Sequence, residues 1–209
     1  MSSFIYLSIR SRTSEANLRG CPRRIVTVSS GIIRGQKATL AWTMSTIAYL
    51  SLGSNLGDRE GHLRDAVARL ESQGHVVAVS SFYETEPVEF ANQPWFLNCA
   101  VAIETTKMAT ELLAGLLEIE GSMGRHRAQR KGPRLIDIDI LLFGNAIIDS
   151  QELTVPHPAM HERRFVIEPL AEIAPEARHP VLAKTVRQLW DSLPPGQVVR
   201  RIAGPPMAR

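Results

Sequence analysis

The sequence predicts an α+β fold in which an antiparallel sheet carries helices on one face. Beyond residue 46, short apolar runs that end at turn residues alternate with stretches whose apolar residues recur at helical spacing. The hydrophobic fraction of 44% and the charged fraction of 22% are ordinary for a soluble globular protein. No apolar run approaches the ~18 residues that a membrane span needs.

Four strands and two helices are predicted between residues 47 and 143. We predict strands over residues 47–52, 76–83, 96–104 and 135–143. Asp58 is suited to cap the first helix, whose apolar face is formed by Leu63, Ala66, Val67 and Leu70. The second helix is predicted over residues 108–123. The order β-α-β-β-α-β is the ferredoxin-like arrangement, and a C-terminal helical extension with a last amphipathic segment near 187–193 follows it.

Residues 1–43 differ from the rest in composition. They contain seven basic residues and one acid, Glu15, and show no sustained period. Such a segment can be an organellar targeting sequence, a nucleic-acid arm or a poorly ordered leader. Because Met44 directly precedes the first strand, translation could also begin there. We interpret 1–43 as a leader or a misassigned start, and 44–209 as one domain.

The two cysteines, Cys21 and Cys99, are far apart and in unlike contexts. This pattern suits neither a disulfide framework nor a metal cage, and it is typical of a reducing compartment. We therefore expect a cytoplasmic protein, unless the leader directs it to an organelle.

Two aspartates stand on the fourth strand. Because neighbouring side chains of a strand point to opposite faces, Ile136, Ile138 and Ile140 share the core face while Asp137 and Asp139 share the other. Two carboxylates on residues whose Cα atoms lie roughly 6.6 Å apart by the strand rise suit a hard divalent cation such as Mg²⁺. Alone, the pair is equally compatible with a solvated sheet face.

A basic loop precedes these aspartates. Residues 124–134 contain Arg125, Arg127, Arg130, Arg134 and Lys131, with glycines at positions 124 and 132. Arginine forks bind phosphate oxygens bidentately. A polyphosphate that carries Mg²⁺ would satisfy both the loop and the acids, and no Gly-x-x-x-x-Gly-Lys-[Ser/Thr] motif offers another phosphate site.

The third strand offers a place for a flat heterocycle. Trp95, Leu97, Cys99 and Val101 are predicted to face the core, so Phe96 and Asn98 lie on the opposite face, where little else is apolar. An aromatic ring beside an amide can stack a heterocycle and read its edge, although Phe96 could simply cap the sheet. Further along, His157 either orders its proline-bracketed loop or contacts phosphate.

Five stretches in register resemble the 6-hydroxymethyl-7,8-dihydropterin pyrophosphokinase family of folate biosynthesis. They are Gly53-Ser54-Asn55-Leu56-Gly57-Asp58, Ser80-Ser81-Phe82-Tyr83-Glu84-Thr85, Gln93-Pro94-Trp95-Phe96-Leu97-Asn98, the block from Arg125 to Leu142, and Leu153-Thr154-Val155-Pro156-His157. The resemblance runs from about Thr46 to Leu193. Five motifs in order are far more specific than any one of them.

The resemblance implies transfer of an intact pyrophosphoryl group from ATP to the pterin hydroxymethyl oxygen, with release of AMP. It implies two Mg²⁺ ions on Asp137 and Asp139, which act in catalysis with Arg125 and Arg134. The implied ATP contacts are Leu113, Glu120, Arg125, Arg127, Arg130, Arg134, Ile140, Thr154, His157 and Arg163. The implied pterin contacts are Thr85, Glu86, Val88, Phe96, Asn98, Asp137 and Phe165, with the two phenylalanines sandwiching the ring.

Two positions depart from the family pattern. Lys131 stands where the family commonly has tryptophan, so an aromatic contact there would be lost. Pro158 stands at a position that is often tyrosine, and the contact of that ring with the nucleotide would be lost as well.

Two other functions are compatible with the residues. An RNA-binding module could share the sheet topology and the basic loop, but it needs aromatic platforms where the fourth strand exposes aspartates. Another Mg²⁺-dependent phosphoryl or nucleotidyl transferase would release ADP or pyrophosphate instead of AMP. We expect a monomer with small-molecule substrates and without nucleic-acid or membrane partners.

Overall fold

The computed structural model describes residues 45–87, 93–124 and 134–203. In these residues the strands are β1 (Thr46–Ser54), β2 (His75–Val79), β3 (Phe82–Thr85), β4 (Phe96–Thr105), β5 (Asp137–Phe143), β6 (Ile148–Asp149), β7 (Thr154–Val155) and β8 (Val199–Ala203). The helices are α1 (Arg59–Leu70), α2 (Ala109–Ser122), α3 (Arg164–Ile173) and α4 (Val186–Asp191). None of these helices has the length and apolarity needed to cross a bilayer.

Strand β1 is an interior strand of the main sheet. It pairs antiparallel with β4 on one side and with β5 on the other, so that Leu52 stands opposite Cys99 and Ile138. Strands β2 and β3 both pair with the far side of β4, β8 pairs with β3, and β6 and β7 form a separate pair. The predicted antiparallel sheet with helices is therefore confirmed.

Helices α1 and α2 cover one face of the sheet and form the first core. Helix α1 begins after Asp58, whose Oδ1 accepts a hydrogen bond from the Gly61 N–H at 2.9 Å, as the sequence predicted. The apolar faces of both helices pack on alternate strand residues, which include Leu50, Leu52, Cys99, Val101, Ile138 and Ile140. This packing fixes which way the intervening residues of β4 and β5 point.

Helices α3 and α4 cover part of the opposite face and form a second core. Val166, Ile167, Leu170 and Leu189 pack there with Ala100, Leu141 and Leu142 of the sheet. Leu141 and Leu142 are both in this core because the register of β5 against β1 shifts between Tyr49 and Leu50, which marks a bulge. The expectation that little on this face is apolar was wrong, because the C-terminal helices fold back over the sheet.

The second predicted strand is divided into β2 and β3 at Ser80 and Ser81. Ser80 donates its N–H to the Ala100 carbonyl, and its Oγ accepts the Ala100 N–H, both at 2.9 Å. A side chain thus replaces one main-chain partner of the ladder. The C-terminal segment also differs from the prediction, because beyond its helices it returns to the sheet as β8.

Candidate active site

The polar and aromatic residues predicted to bind substrates lie on the second face, next to the second core. Phe96 and Asn98 precede Ala100 on β4, and Asp137 and Asp139 precede Leu141 on β5. Asp137, Asp139 and Phe96 are partly exposed. The structure therefore brings these four side chains together on one face, as the alternation predicted, whereas their roles stay predictions.

Gly53 lies between the two halves of this face. It stands opposite Asn98 on β4 and opposite Asp137 on β5. A Cβ atom at position 53 would come within 2.7 Å of Asn98 Oδ1, which is closer than a carbon and an oxygen can approach. Glycine therefore leaves the room that the Asn98 amide occupies.

The Asn98 side chain is held from the other side by β3. Its Nδ2 donates a hydrogen bond to Thr85 Oγ1 at 2.7 Å, and both residues are buried. Because Nδ2 is engaged by the hydroxyl, the amide is fixed with its oxygen toward Gly53. Thr85, predicted to contact the pterin, is thus placed as the partner of Asn98.

Arg134 and Asp137 form a hydrogen-bonded ion pair through Nη1 and Oδ2. The main chain of Arg134 is fixed separately by Asn55. Its N–H donates to Asn55 Oδ1 at 2.6 Å, and its carbonyl accepts the Asn55 N–H at 3.1 Å. The guanidinium therefore projects toward the aspartates from an anchored backbone.

Glu120 of α2 supports the strand that carries both aspartates. Its carboxylate is buried, and Oε1 accepts the main-chain N–H of Ile138 at 2.7 Å. Ile138 lies between Asp137 and Asp139, so this contact fixes the backbone of the acid pair. The structure thus gives Glu120, predicted to line the ATP site, a structural contact there.

His157 lies within electrostatic reach of Asp137 and Arg163. Burial lowers its pKa, the positive charge of Arg163 lowers it further, and Asp137 acts in the opposite direction. The Ala159 N–H donates to Nδ1 at 3.2 Å, which assigns the proton of the neutral ring to Nε2. The ring thus orders its loop, as one interpretation of the sequence had it, whereas its contact with phosphate stays a prediction.

Arg163 and Phe165 stand at the start of α3. The Arg163 guanidinium lies 5.7 Å from the centre of the Phe165 ring, a distance that allows a cation–π interaction. Thr154, also predicted to contact ATP, is exposed on β7. Glu86, predicted to contact the pterin, follows β3 and is partly buried.

Some predicted site residues lie elsewhere or outside the described part of the chain. The Ile140 side chain is buried in the first core, and Leu113 packs against that core. The Ile140 side chain is therefore directed away from the second face, which leaves its main chain as the group that could contact ATP. Val88, Arg125, Arg127 and Arg130, like the departure Lys131, lie outside the described residues.

Two residues of this region received no role from the sequence. Asn55 also donates through Nδ2 to Gln93 Oε1 at 3.2 Å, so it joins the segment before β4 to Arg134. Arg59 donates to the Trp95 carbonyl at 2.7 Å and pairs with Glu84 at 2.9 Å. The partners of Asn55 and Arg59 are distant in sequence, so local patterns do not reveal these contacts. The sequence pointed to Asn55 only through its place in the Gly53–Asp58 turn, and it gave no sign of Arg59.

Comparison with known proteins identifies the family. Residues 49–175 match the family model described as 7,8-dihydro-6-hydroxymethylpterin-pyrophosphokinase. The chain belongs to this family. It is 52% identical to a pyrophosphokinase of Bacillus subtilis over 132 aligned residues. These residues cover 62% of this chain and 79% of that protein. A pyrophosphokinase of Methylorubrum extorquens is 44% identical over 157 residues, or 74% of this chain and 98% of that protein.

Longer proteins also contain this pyrophosphokinase unit. The folic acid synthesis protein FOL1 of Dictyostelium discoideum is 40% identical over 164 aligned residues. These residues cover 78% of this chain but 25% of that protein. A crystal structure of Plasmodium falciparum HPPK-DHPS shares the fold with a TM-score of 0.57 at 18% identity, over 73% of this chain and 46% of that one. The pyrophosphokinase family match ends at Pro175, so α4 and β8 lie beyond it.

Proposed function

We propose that the chain binds ATP and 6-hydroxymethyl-7,8-dihydropterin side by side on the second face of its sheet. Transfer of pyrophosphate from ATP to hydroxymethyldihydropterin is the activity of the family to which it belongs, so it is an ATP-dependent pyrophosphokinase of folate biosynthesis. The observation that supports the placement of both substrates is the pairing of Gly53 with Asn98 on one side and with Asp137 on the other.

The strand spacing gives the scale of this arrangement. Strands β4 and β5 are two strand positions apart, or roughly 10 Å. A bicyclic pterin whose edge is read at Asn98 can cover that span, so that its hydroxymethyl group lies near the aspartates. We infer that the pterin crosses over Gly53, where a side chain larger than hydrogen would obstruct it.

Asp137 and Asp139 suit Mg²⁺. The described residues contain no group of three or more His, Cys, Asp and Glu side chains that could form a complete metal cage. Mg²⁺ needs no such cage, because it binds through one or two carboxylates and completes its shell with phosphate oxygens and water. Two partly exposed aspartates on one face therefore fit, and we propose that they hold two ions. When bound, these ions would neutralise phosphate charge and polarise the transferred group.

The chain's own residues position the reactants and compensate charge. The pterin hydroxymethyl oxygen forms a bond to the β-phosphorus of ATP and its proton passes to solvent, while the bond between that phosphorus and the α–β bridging oxygen breaks and AMP leaves. Arg134 and Arg163 place permanent positive charge beside the phosphates, and the Nε2–H of His157 offers a neutral donor. The transfer needs no protein nucleophile, because alignment and charge stabilisation suffice.

The pterin site would be formed by three elements. Phe96 of β4 and Phe165 of α3 would stack on the two ring faces. Asn98, oriented by Thr85, would read the ring edge together with the backbone after β3. We propose that Arg125, Arg127 and Arg130 complete the phosphate site from the preceding loop.

The reaction products test this function directly. The full chain is incubated with Mg-ATP and 6-hydroxymethyl-7,8-dihydropterin, and the nucleotides are separated by chromatography. We expect AMP in amounts equal to the pterin diphosphate, and no AMP when pterin is left out. Formation of ADP would identify a simple phosphoryl transferase and would overturn the proposal.

We also propose that the enzyme is a cytoplasmic monomer without nucleic-acid or membrane partners. Cys99 is a free, buried thiol, which suits a reducing compartment, and both proposed substrates are small and diffusible. Sedimentation of the full chain with and without substrates tests the monomer.

A further inference from the structure

Gln197, just before β8, joins two segments that are distant in sequence. Its Oε1 accepts a hydrogen bond from the Phe165 N–H at 3.3 Å. Its Nε2 donates to the Glu86 carbonyl oxygen, also at 3.3 Å. One side-chain amide therefore connects the first turn of α3 to the chain just after β3.

The main chain beside Gln197 strengthens one end of this bridge. The Val198 N–H donates to Glu86 Oε1 at 2.9 Å, and the Glu86 N–H donates to the Val198 carbonyl at 3.4 Å. The Arg200 guanidinium lies 5.3 Å from the centre of the Trp95 ring, next to Phe96. The C-terminal segment thus holds the end of β3 firmly, whereas the contact with α3 at Phe165 depends on the Gln197 side chain.

Helix α3 needs a partner at this position. The first N–H groups of a helix have no acceptor within the helix, and a capping side chain usually supplies one. Arg163, the residue before α3, makes no side-chain capping bond. Gln197 supplies an acceptor from outside the helix and so fixes the turn that carries Phe165.

Both ends of the bridge belong to the proposed pterin site. Phe165 would form one face of that site, and Glu86 follows Thr85, which orients Asn98. We propose that Gln197 is a positioning residue that sets the distance between these two walls, and thereby the affinity for the pterin, without contacting it. This inference rests on the proposed pterin site, and it assigns a role to a residue beyond the part that the family model matches.

Glutamine is suited to this role because one end of its amide accepts and the other donates. Glutamate has the same shape and could still accept the Phe165 N–H. It cannot donate to the Glu86 carbonyl, and it would place a second negative charge beside the Glu86 carboxylate. Alanine keeps neither bond, although the main-chain pairing of Val198 with Glu86 remains possible.

The test compares Gln197→Ala, Gln197→Glu and Arg201→Ala in the full chain. Arg201 is a matched control from the same C-terminal segment, because it joins β8 to Ser81, just before β3, and to Glu172, at the other end of α3 from Phe165. For each variant, KM is measured separately for the pterin and for ATP, together with kcat and the melting temperature. Pterin binding is also measured by calorimetry with Mg²⁺ and α,β-methylene-ATP, which cannot react.

We expect Gln197→Ala to raise the pterin KM and Kd roughly five- to thirtyfold, as expected for the loss of two partly exposed hydrogen bonds. The KM for ATP should stay within about twofold. Gln197→Glu should weaken pterin binding at least as much, while Arg201→Ala should leave it unchanged even if its melting temperature falls.

Two outcomes would overturn the role of Gln197. One is a normal pterin KM in both Gln197 variants. The other is an equal rise for pterin and ATP that Arg201→Ala reproduces, since this would mean that β8 acts only through stability. If Gln197→Ala does not fold, the isosteric Gln197→Glu decides alone. Failure of the pterin site itself would be recognised differently, because the unchanged chain would then form no AMP with pterin.

Discussion

The buried carboxylate of Glu120 accepts the main-chain N–H of Ile138, the residue that separates the two proposed metal ligands. Helix α2, which covers the first face of the sheet, thereby fixes β5, whose second face carries Asp137 and Asp139. Among the described strands, β5 is the edge strand on this side of the sheet. The Ile138 N–H therefore points to a side where no described strand offers it a carbonyl acceptor.

We expect Glu120→Ala to destabilise the fold by about 1–3 kcal/mol, because it leaves the buried N–H of Ile138 without an acceptor. Glu120→Gln keeps an oxygen at the end of the side chain and should cost less. Urea denaturation of both variants measures the difference. Equal stability of the two variants would mean that this hydrogen bond contributes little.

Gly53→Ala should weaken pterin binding. The new Cβ would meet Asn98 Oδ1 at 2.7 Å, and the amide cannot move without losing its bond to Thr85. Such overpacking typically costs about 1–3 kcal/mol, so we expect the pterin KM to rise about tenfold or more. Steady-state kinetics with varied pterin measures this.

The control for that substitution is Gly121→Ala. Position 121 lies in α2, and an added Cβ would meet nothing within 4 Å. This variant should bind pterin normally and gain up to about 1 kcal/mol of stability from the higher helix propensity of alanine. A similar loss of pterin affinity in both variants would contradict the steric explanation.

Asp139→Asn should leave the fold intact and lower kcat at least about a hundredfold, because an amide is a poor Mg²⁺ ligand. The melting temperature should change little, since Asp139 is partly exposed. Asp149→Asn on the exposed β6 position serves as the matched control and should react normally. A near-normal rate for Asp139→Asn would show that the metal site is misplaced.

The stability of the fold should decrease as the pH falls below about 6.5. Burial lowers the pKa of His179, and the neighbouring His161 lowers it further. A histidine whose pKa is lower in the folded state binds more protons when unfolded, so its contribution to stability is complete above its ordinary pKa and decreases below it. Melting temperatures between pH 5 and 8 should show this decrease, and His179→Gln should reduce it.

A chain that starts at Met44 should fold and react like the full chain, because every contact described for the site lies within residues 45–203. Circular dichroism and the AMP assay on both chains test this. Loss of activity in the shorter chain would show that residues 1–43 contribute to function.

The sequence predicted well those features that depend on neighbouring residues. The alternation of Ile136, Ile138 and Ile140 correctly directed Asp137 and Asp139 to the outer face, and Asp58 correctly marked the start of α1. These features follow from the two-residue period of strands and from local capping.

Features that depend on distant contacts were missed. The second core forms because α3 and α4 return to the sheet, and no local pattern shows which face they cover. Asn55 and Gln197 make hydrogen bonds to partners from 32 to 111 residues away. The short amphipathic segment at the C-terminus likewise gave no sign that the chain would return to the sheet as β8.

The pairing of β1 with β5 has a consequence for folding. If β5 paired with β1 one residue out of register, its side chains would exchange faces, so that the aspartates would enter the first core and the isoleucines would meet solvent. The burial of the isoleucines in the first core therefore both excludes this misalignment and places the two aspartates at the active site. We expect no well-folded but misaligned form of this enzyme, so that loss of activity through faulty pairing should always coincide with loss of the native fold.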